Sequence, residues 1–200
     1  DLWVWKMDSA GVLEWQKAYG SGWAMAVEPT LDGGAIVAGT GFEGARLLKL
    51  DGSGEVEWQR VLGRRGDRAF SVVRAADGGY VLAGGVRSFG NGGYDFWVVK
   101  VDGMGEVQWQ RAYGGSGEEV AFSVAQALDG GYIVAGQRGR HAWALKIDRQ
   151  GEVEWQRGYG GSRVTSAHSI TQTYDGGYVL AGKIGAPPEG GRAWVMKVNG

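Results

Sequence analysis

The stretch Asp102-Gly-Met-Gly-Glu-Val-Gln-Trp109 decides how the rest of the chain is read. It occurs four times with the Asp-to-Trp distance held at seven residues: Asp8 to Trp15, Asp51 to Trp58, Asp102 to Trp109 and Asp148 to Trp155. Each copy ends in Trp-Gln, and each follows an apolar run ending Lys-x-Asp, as in Phe96-Trp-Val-Val-Lys-Val-Asp102. Asp and Gly flanking a short loop between two such runs are hairpin chemistry. Recurrence at a long fixed period marks a repeat architecture.

Outward from each hairpin the order is constant. A run of small residues follows Trp-Gln: Ala24-Met-Ala-Val27, Ala69-Phe-Ser-Val-Val73, Ala121-Phe-Ser-Val124 and Ala167-His-Ser-Ile170. An Asp-Gly-Gly turn then opens a strand ending Ala-Gly, as in Asp129-Gly-Gly-Tyr-Ile-Val-Ala-Gly136. The next Lys-x-Asp run closes the unit. Nothing carries a helical period of any length. The Trp-to-Trp distances are 43, 51 and 46 residues, the size of one four-stranded propeller blade.

Seventeen short strands are therefore expected, four repeats of four and one surplus copy of the Lys-x-Asp strand. The expected fold is all-β: a four-bladed β-propeller of four-stranded antiparallel blades, with one surplus terminal strand. It forms a single domain over residues 1–200, with repeat units at about 8–51, 51–102, 102–148 and 148–199. A five-bladed ring lacks three strands, and a piece of a larger propeller stays open as an alternative. The small residues place their strand innermost, where blades converge. The Ala-Gly, Lys-x-Asp and Trp-Gln strands then follow outward, and Trp15, Trp58, Trp109 and Trp155 are expected to wedge, largely buried, between blades. The chain stops after Trp194 to Asn199, so Val12 to Tyr19 is expected to close the ring as the last blade's missing strand. Leu2 to Asp8 is then surplus.

Composition narrows function. Thirty-nine glycines with only three prolines punctuate strands and fit neither collagen nor a disordered linker. A net charge of −1 gives no global attraction to nucleic acid. No apolar run approaches a membrane helix, so no membrane span is expected. Without cysteine there is no disulfide framework and no thiolate chemistry.

Trp109-Gln-Arg-Ala-Tyr-Gly-Gly115, Ala121-Phe-Ser-Val124 and Asp129 to Gly136 resemble repeats of bacterial and archaeal secreted β-propeller proteins, over essentially the whole chain. The resemblance implies a propeller located outside the cell or on its surface. More distantly, Gly105-Glu-Val-Gln-Trp109 is similar to the tryptophan-docking motif of quinoprotein propeller repeats, with an Asp-to-Gly segment one residue shorter. Enzymes of that family hold pyrroloquinoline quinone and calcium in eight blades. With four repeats here, an enzyme of that type is the least favoured reading.

The residues suggest no catalytic, cofactor-binding or metal site. The Asp-x-x-Gly turns lack the converging oxygens of a calcium loop, and an Asp bonding its own turn explains their recurrence. His141 and His168 are too few for zinc. His168 stands where the other repeats have Met25, Phe70 and Phe122, an apolar packing position. Lys6, Lys49, Lys100, Lys146 and Lys197 recur in every copy of their strand, which points to a blade carboxylate as partner.

The expected function is non-enzymatic: a structural or interaction module whose partner is another protein or a second copy. Leu2, Trp3, Val4 and Trp5 are expected on an exposed strand edge, a template for association. Acidic turns at one end and Arg-bearing loops at the other favour head-to-tail approach. The alternative is a ligand- or glycan-binding propeller using Arg64, Arg65, Arg138 and Arg140, with the off-pattern Trp23 as an aromatic contact.

Overall fold

The structure is a computed structural model that describes residues 1–185 and 191–199. The described residues form seventeen strands, which pair strictly antiparallel into five sheets in sequence order. The first sheet pairs β1 (Trp3–Met7) with β2 (Leu13–Ala18). The second runs β3 (Trp23–Pro29), β4 (Ala35–Thr40), β5 (Ala45–Leu50), β6 (Val56–Leu62). The third runs β7 (Arg68–Arg74), β8 (Tyr80–Val86), β9 (Asp95–Val101), β10 (Val107–Tyr113). The fourth runs β11 (Glu119–Gln126), β12 (Tyr132–Arg138), β13 (His141–Ile147), β14 (Val153–Tyr159). The fifth holds β15 (Thr165–Gln172), β16 (Tyr178–Ile184) and β17 (Arg192–Val198). Among the described residues there is no helix long and apolar enough to cross a membrane.

Turn chemistry sets these strands. In each opening hairpin one Asp oxygen accepts two amides of its own turn: Asp51 Oδ1 takes Ser53 N at 2.8 Å and Glu55 N at 2.9 Å. Asp8, Asp102 and Asp148 do the same. The Gly of the turn carries φ near +80°, at Gly54, Gly105 and Gly151 alike, a region that L side chains rarely enter. A different glycine sits within the Ala-Gly strand. A Cβ on Gly84 would lie 1.8 Å from Arg68 O, because β7 bulges there between Ala69 and Ser71.

The core lies between sheets, one cluster per junction. Ile36, Ala38, Ala45 and Leu47 of one sheet meet Ala69 and Val72 on the first strand of the next. Val81, Ala83, Phe96 and Val98 meet Ala121 and Val124, and Ile133, Ala135, Ala142 and Ala144 meet Ala167 and Ile170. The bulge keys each junction as well. Ser71 Oγ accepts from Val124 N, and Ser123 Oγ accepts from Ile170 N, both at 3.2 Å.

The expected ring closure does not occur. β2 pairs with β1, and among the described residues no ladder joins β17 to β2. The N-terminal hairpin instead packs on the second sheet, with Leu2 fully buried beside Val37, Leu48 and Leu50. Leu2 N donates to Gly20 O and its carbonyl accepts from Tyr19 N, which extends the hairpin and pulls the side chain inward. Leu2 is therefore not part of an exposed edge.

Candidate interaction surface

The recurring side chains serve the joints between sheets. Trp15 Nε1 donates to Gly52 O at 3.1 Å, and Trp109 Nε1 donates to Arg149 O at 3.0 Å, both in the hairpin turn of the next sheet. The indoles lie on the turn glycine: a Cβ on Gly105 would come within 2.7 Å of Trp58, and one on Gly151 within 3.1 Å of Trp109. Tyr19 and Tyr113 donate to the carbonyls of Gly54 and Gly151 at 2.7 and 2.6 Å. Glu55, Glu106 and Glu152 on these turns pair with Lys17, Arg60 and Arg111 of the preceding sheet. Trp15, Trp58, Trp109 and Trp155 are half-buried rather than largely buried, because the outermost strand leaves one indole face to solvent or to an arginine. Arg60 covers Trp58, and Arg157 covers Trp155.

The lysines show what a complete sheet supplies. Lys49 reaches Asp32 (2.7 Å) and Glu57 (3.3 Å), and Lys146 reaches Asp129 and Glu154 (both 2.8 Å). Lys100 reaches Asp77 (2.9 Å) and the Gln108 amide oxygen (2.8 Å). Each thus has one partner from the Asp-Gly-Gly turn and one from the outermost strand. In the end sheets the set is halved. Lys6 has only Glu14, at 2.7 Å, and Lys197 has only Asp175 among the described residues. The three central lysine side chains are 2–5% exposed, whereas Lys6 and Lys197 are 42% and 51% exposed.

These bonds show in the ionisation. The hydrogen bond from Lys49 holds Asp32 well below the usual carboxylate range, and Lys197 does the same for Asp175. At Asp77 and Asp129 burial pushes upward, but the lysine bonds outweigh it and the net shift is down. Burial pulls Lys49 and Lys146 down, and their carboxylates more than offset it. Burial pushes Tyr132 up to about 12 and Tyr113 higher still.

The repeats also expose the two outer faces by comparison. Val72, Val124 and Ile170 are 3–4% exposed, but Val27 at the same place in β3 is 60% exposed. At the far end Val98 and Ala144 are fully buried, while Val195 on β17 is 73% exposed. Ala24 and Ala193 are likewise open where their counterparts are buried. Among the described residues, two buried polar atoms in the last part of the array lack a partner, Tyr159 Oη and Trp194 Nε1. Trp97, which holds the same place in β9 as Trp194 in β17, donates to Gln110 on the outermost strand at 3.3 Å.

The other candidate residues scatter. Trp3 and Trp5 are half exposed and meet edge to face at 4.8 Å, with Val4 partly buried beside them. They border a cleft of about 340 Å³ with Met25 and Val27, next to the exposed Trp23. Arg65 lies over Phe42, while Arg64 gives its amide to Asp67. Arg138 lies over Trp143 and faces Glu119, and Arg140 donates to Ser162 O. Arg138, Arg140, His141 and Trp143 line one cleft of about 520 Å³. His168 stacks on Phe122 at 4.9 Å, with Phe70 and Phe122 at 5.7 Å. The sequence pattern carried no signal for the uncovered end faces, since their residues are the same as in buried positions.

No protein-family model and no curated protein matches the chain. Solved structures do. A protein of unknown function from Bacteroides caccae superposes with a TM-score of 0.55 at 18% identity, covering 82% of this chain and 57% of that one. The Dos1 propeller superposes with a TM-score of 0.59 at 11% identity, covering 90% of this chain and 47% of that one. The fold is that of a β-propeller, and each four-stranded sheet is a blade. The chain spans about half the length of these two structures.

Proposed function

We propose that the chain is a non-enzymatic interaction propeller, acting outside the cell, that associates through the end faces of its row of blades. The observation that carries this reading is the contrast between Val27 or Val195 and their buried counterparts in the inner blades. These faces repeat the apolar surface that joins blade to blade, so each has the shape and chemistry to take another blade. Four blades are counted when β1 and β2 are grouped with the three-stranded sheet. The resemblance to secreted repeat proteins supports the extracellular setting. Sedimentation of the chain across a concentration series tests the association. It should exceed the monomer mass, and Val27→Asp or Val195→Asp should return it to monomer. A wild-type monomer at every concentration would end this reading.

A second reading rests on the cleft of Arg138, Arg140, His141 and Trp143, whose two arginines suit an acidic glycan. Binding to a panel of anionic oligosaccharides, lost in Arg140→Ala, would favour it.

A further inference from the structure

We infer that the junction between the third and fourth sheets holds a binding site for a small organic carboxylate, at the opposite end of β12 from the Arg138 cleft.

The repeats mark the place by where they differ. The residue before the docking tryptophan is Glu14, Glu57 and Glu154 in three copies, but Gln108 in the remaining one. The residue after the hairpin aspartate is Ser9, Gly52 and Gly103 in three copies, but Arg149 in the remaining one. Both exceptions line one cleft of about 540 Å³, together with Asp77, Lys100, Trp109 and Tyr132. The scaffold requires neither change. Glu57 and Glu154 serve their lysines, and Gly52 accepts from Trp15 as Arg149 accepts from Trp109.

Each exception adds donors to the wall of the cleft. Gln108 gives its amide oxygen to Lys100 at 2.8 Å, which leaves its N–H groups as donors where Glu57 and Glu154 offer only acceptors. Arg149 gives one N–H to Asp129 O at 3.1 Å and, among the described residues, no other from its side chain. Tyr132, pushed up to about 12 by burial, keeps its hydroxyl proton at neutral pH.

The charges point the same way. Lys100 has Asp77 at 2.9 Å but lacks the second carboxylate that Lys49 and Lys146 each hold. With Lys100 and Arg149 positive and Asp77 negative, the lining is left net positive. A carboxylate, as a monoanion, balances it, and its planar oxygens match the guanidinium fork. A phosphate ester, about doubly charged at neutral pH, overshoots. The half-buried indole of Trp109 gives the body of the ligand an apolar wall.

Restoring the residues of the other blades tests the site with side chains that already fold at these places. Glucuronate titrated into the isotope-labelled chain should move the Trp109 indole N–H resonance, assigned from Trp109→Phe, saturably in the millimolar range, and glucose should not. Gln108→Glu and Arg149→Gly should each weaken glucuronate about tenfold or more. A Trp109 signal that stays in place, or moves equally with glucose, would overturn the inference. So would an affinity unchanged in either variant, or one lost in Arg140→Ala instead, which would put the anion in the Arg138 cleft. Inorganic phosphate binding more tightly than glucuronate would overturn the choice of a carboxylate.

Discussion

Lys146 Nζ stands 2.8 Å from Asp129 Oδ2, and the lysine side chain is 2% exposed while the aspartate remains half open. The pair ties a hairpin turn to the middle of its blade, and Glu154 closes it from the other side. Removing the lysine leaves two carboxylates that water can still reach. Lys146→Met should therefore cost about 1–3 kcal/mol, less than breaking a fully buried pair. The same change at Lys197 should leave the melting temperature nearly unchanged in the isolated chain, because that lysine is half exposed. Equal losses at both positions would contradict this division.

Gly105 lies under Trp58 at positive φ, and an added Cβ would sit 2.7 Å from the ring. Gly33 has φ +82° with nothing within 4 Å of its Cβ position. Gly105→Ala should destabilise by about 1–3 kcal/mol and Gly33→Ala by roughly 1, measured by denaturant midpoint. If the two matched, the indole would not be packing on the turn.

Trp109 is half-buried, bonds Arg149 O and tilts against Tyr132 at 6.4 Å. Its truncation removes less apolar area than that of a core indole. Trp109→Ala should cost about 2–4 kcal/mol. Near-wild-type unfolding of that variant would remove its role in the joint.

Acid and alkali should each weaken the fold, acid through the lowered carboxylates and alkali through the raised lysines and tyrosines. Asp32, Asp77, Asp129 and Asp175 are lowered in the fold, so their contribution is full above the unfolded carboxylate range and is lost as pH falls through the lowered values. Lys49, Lys146, Tyr113 and Tyr132 are raised, so their contribution is full below the unfolded values near 10 and is lost as pH rises through the folded ones. Melting temperature should hold level between about pH 5 and 9.5 and fall on both sides. A maximum confined to neutrality would point to another group.

The hairpin aspartates spend one oxygen on two turn amides each, which leaves them poor collectors for a cation. A chelator should not change the melting temperature. A large drop would reveal a cation site that the turns do not explain.

Much of the fold was legible because period and turn chemistry act locally. Asp51, Gly54 and Trp58 set a hairpin and its docking site within a few residues, and strand order followed from small residues such as Ala69 and Ser71. Closure was not legible. Whether β2 pairs with β1 or with β17 depends on Leu2 burying against Val37 and Leu48, a contact between distant segments whose residues fit either place. The open faces were hidden for the same reason: Val27 reads like Val72, and only the missing neighbour makes it exposed.

The serine key from Ser71 to Val124 and from Ser123 to Ile170 is one joint used twice, made wholly within the unit and its neighbour. A gene segment encoding Asp102 to Ile147, copied in tandem, would therefore yield a product whose one new seam already matches. Lengthening by duplication would ask nothing of the remainder of the polypeptide, and the modest sequence drift between repeats has left that fit intact.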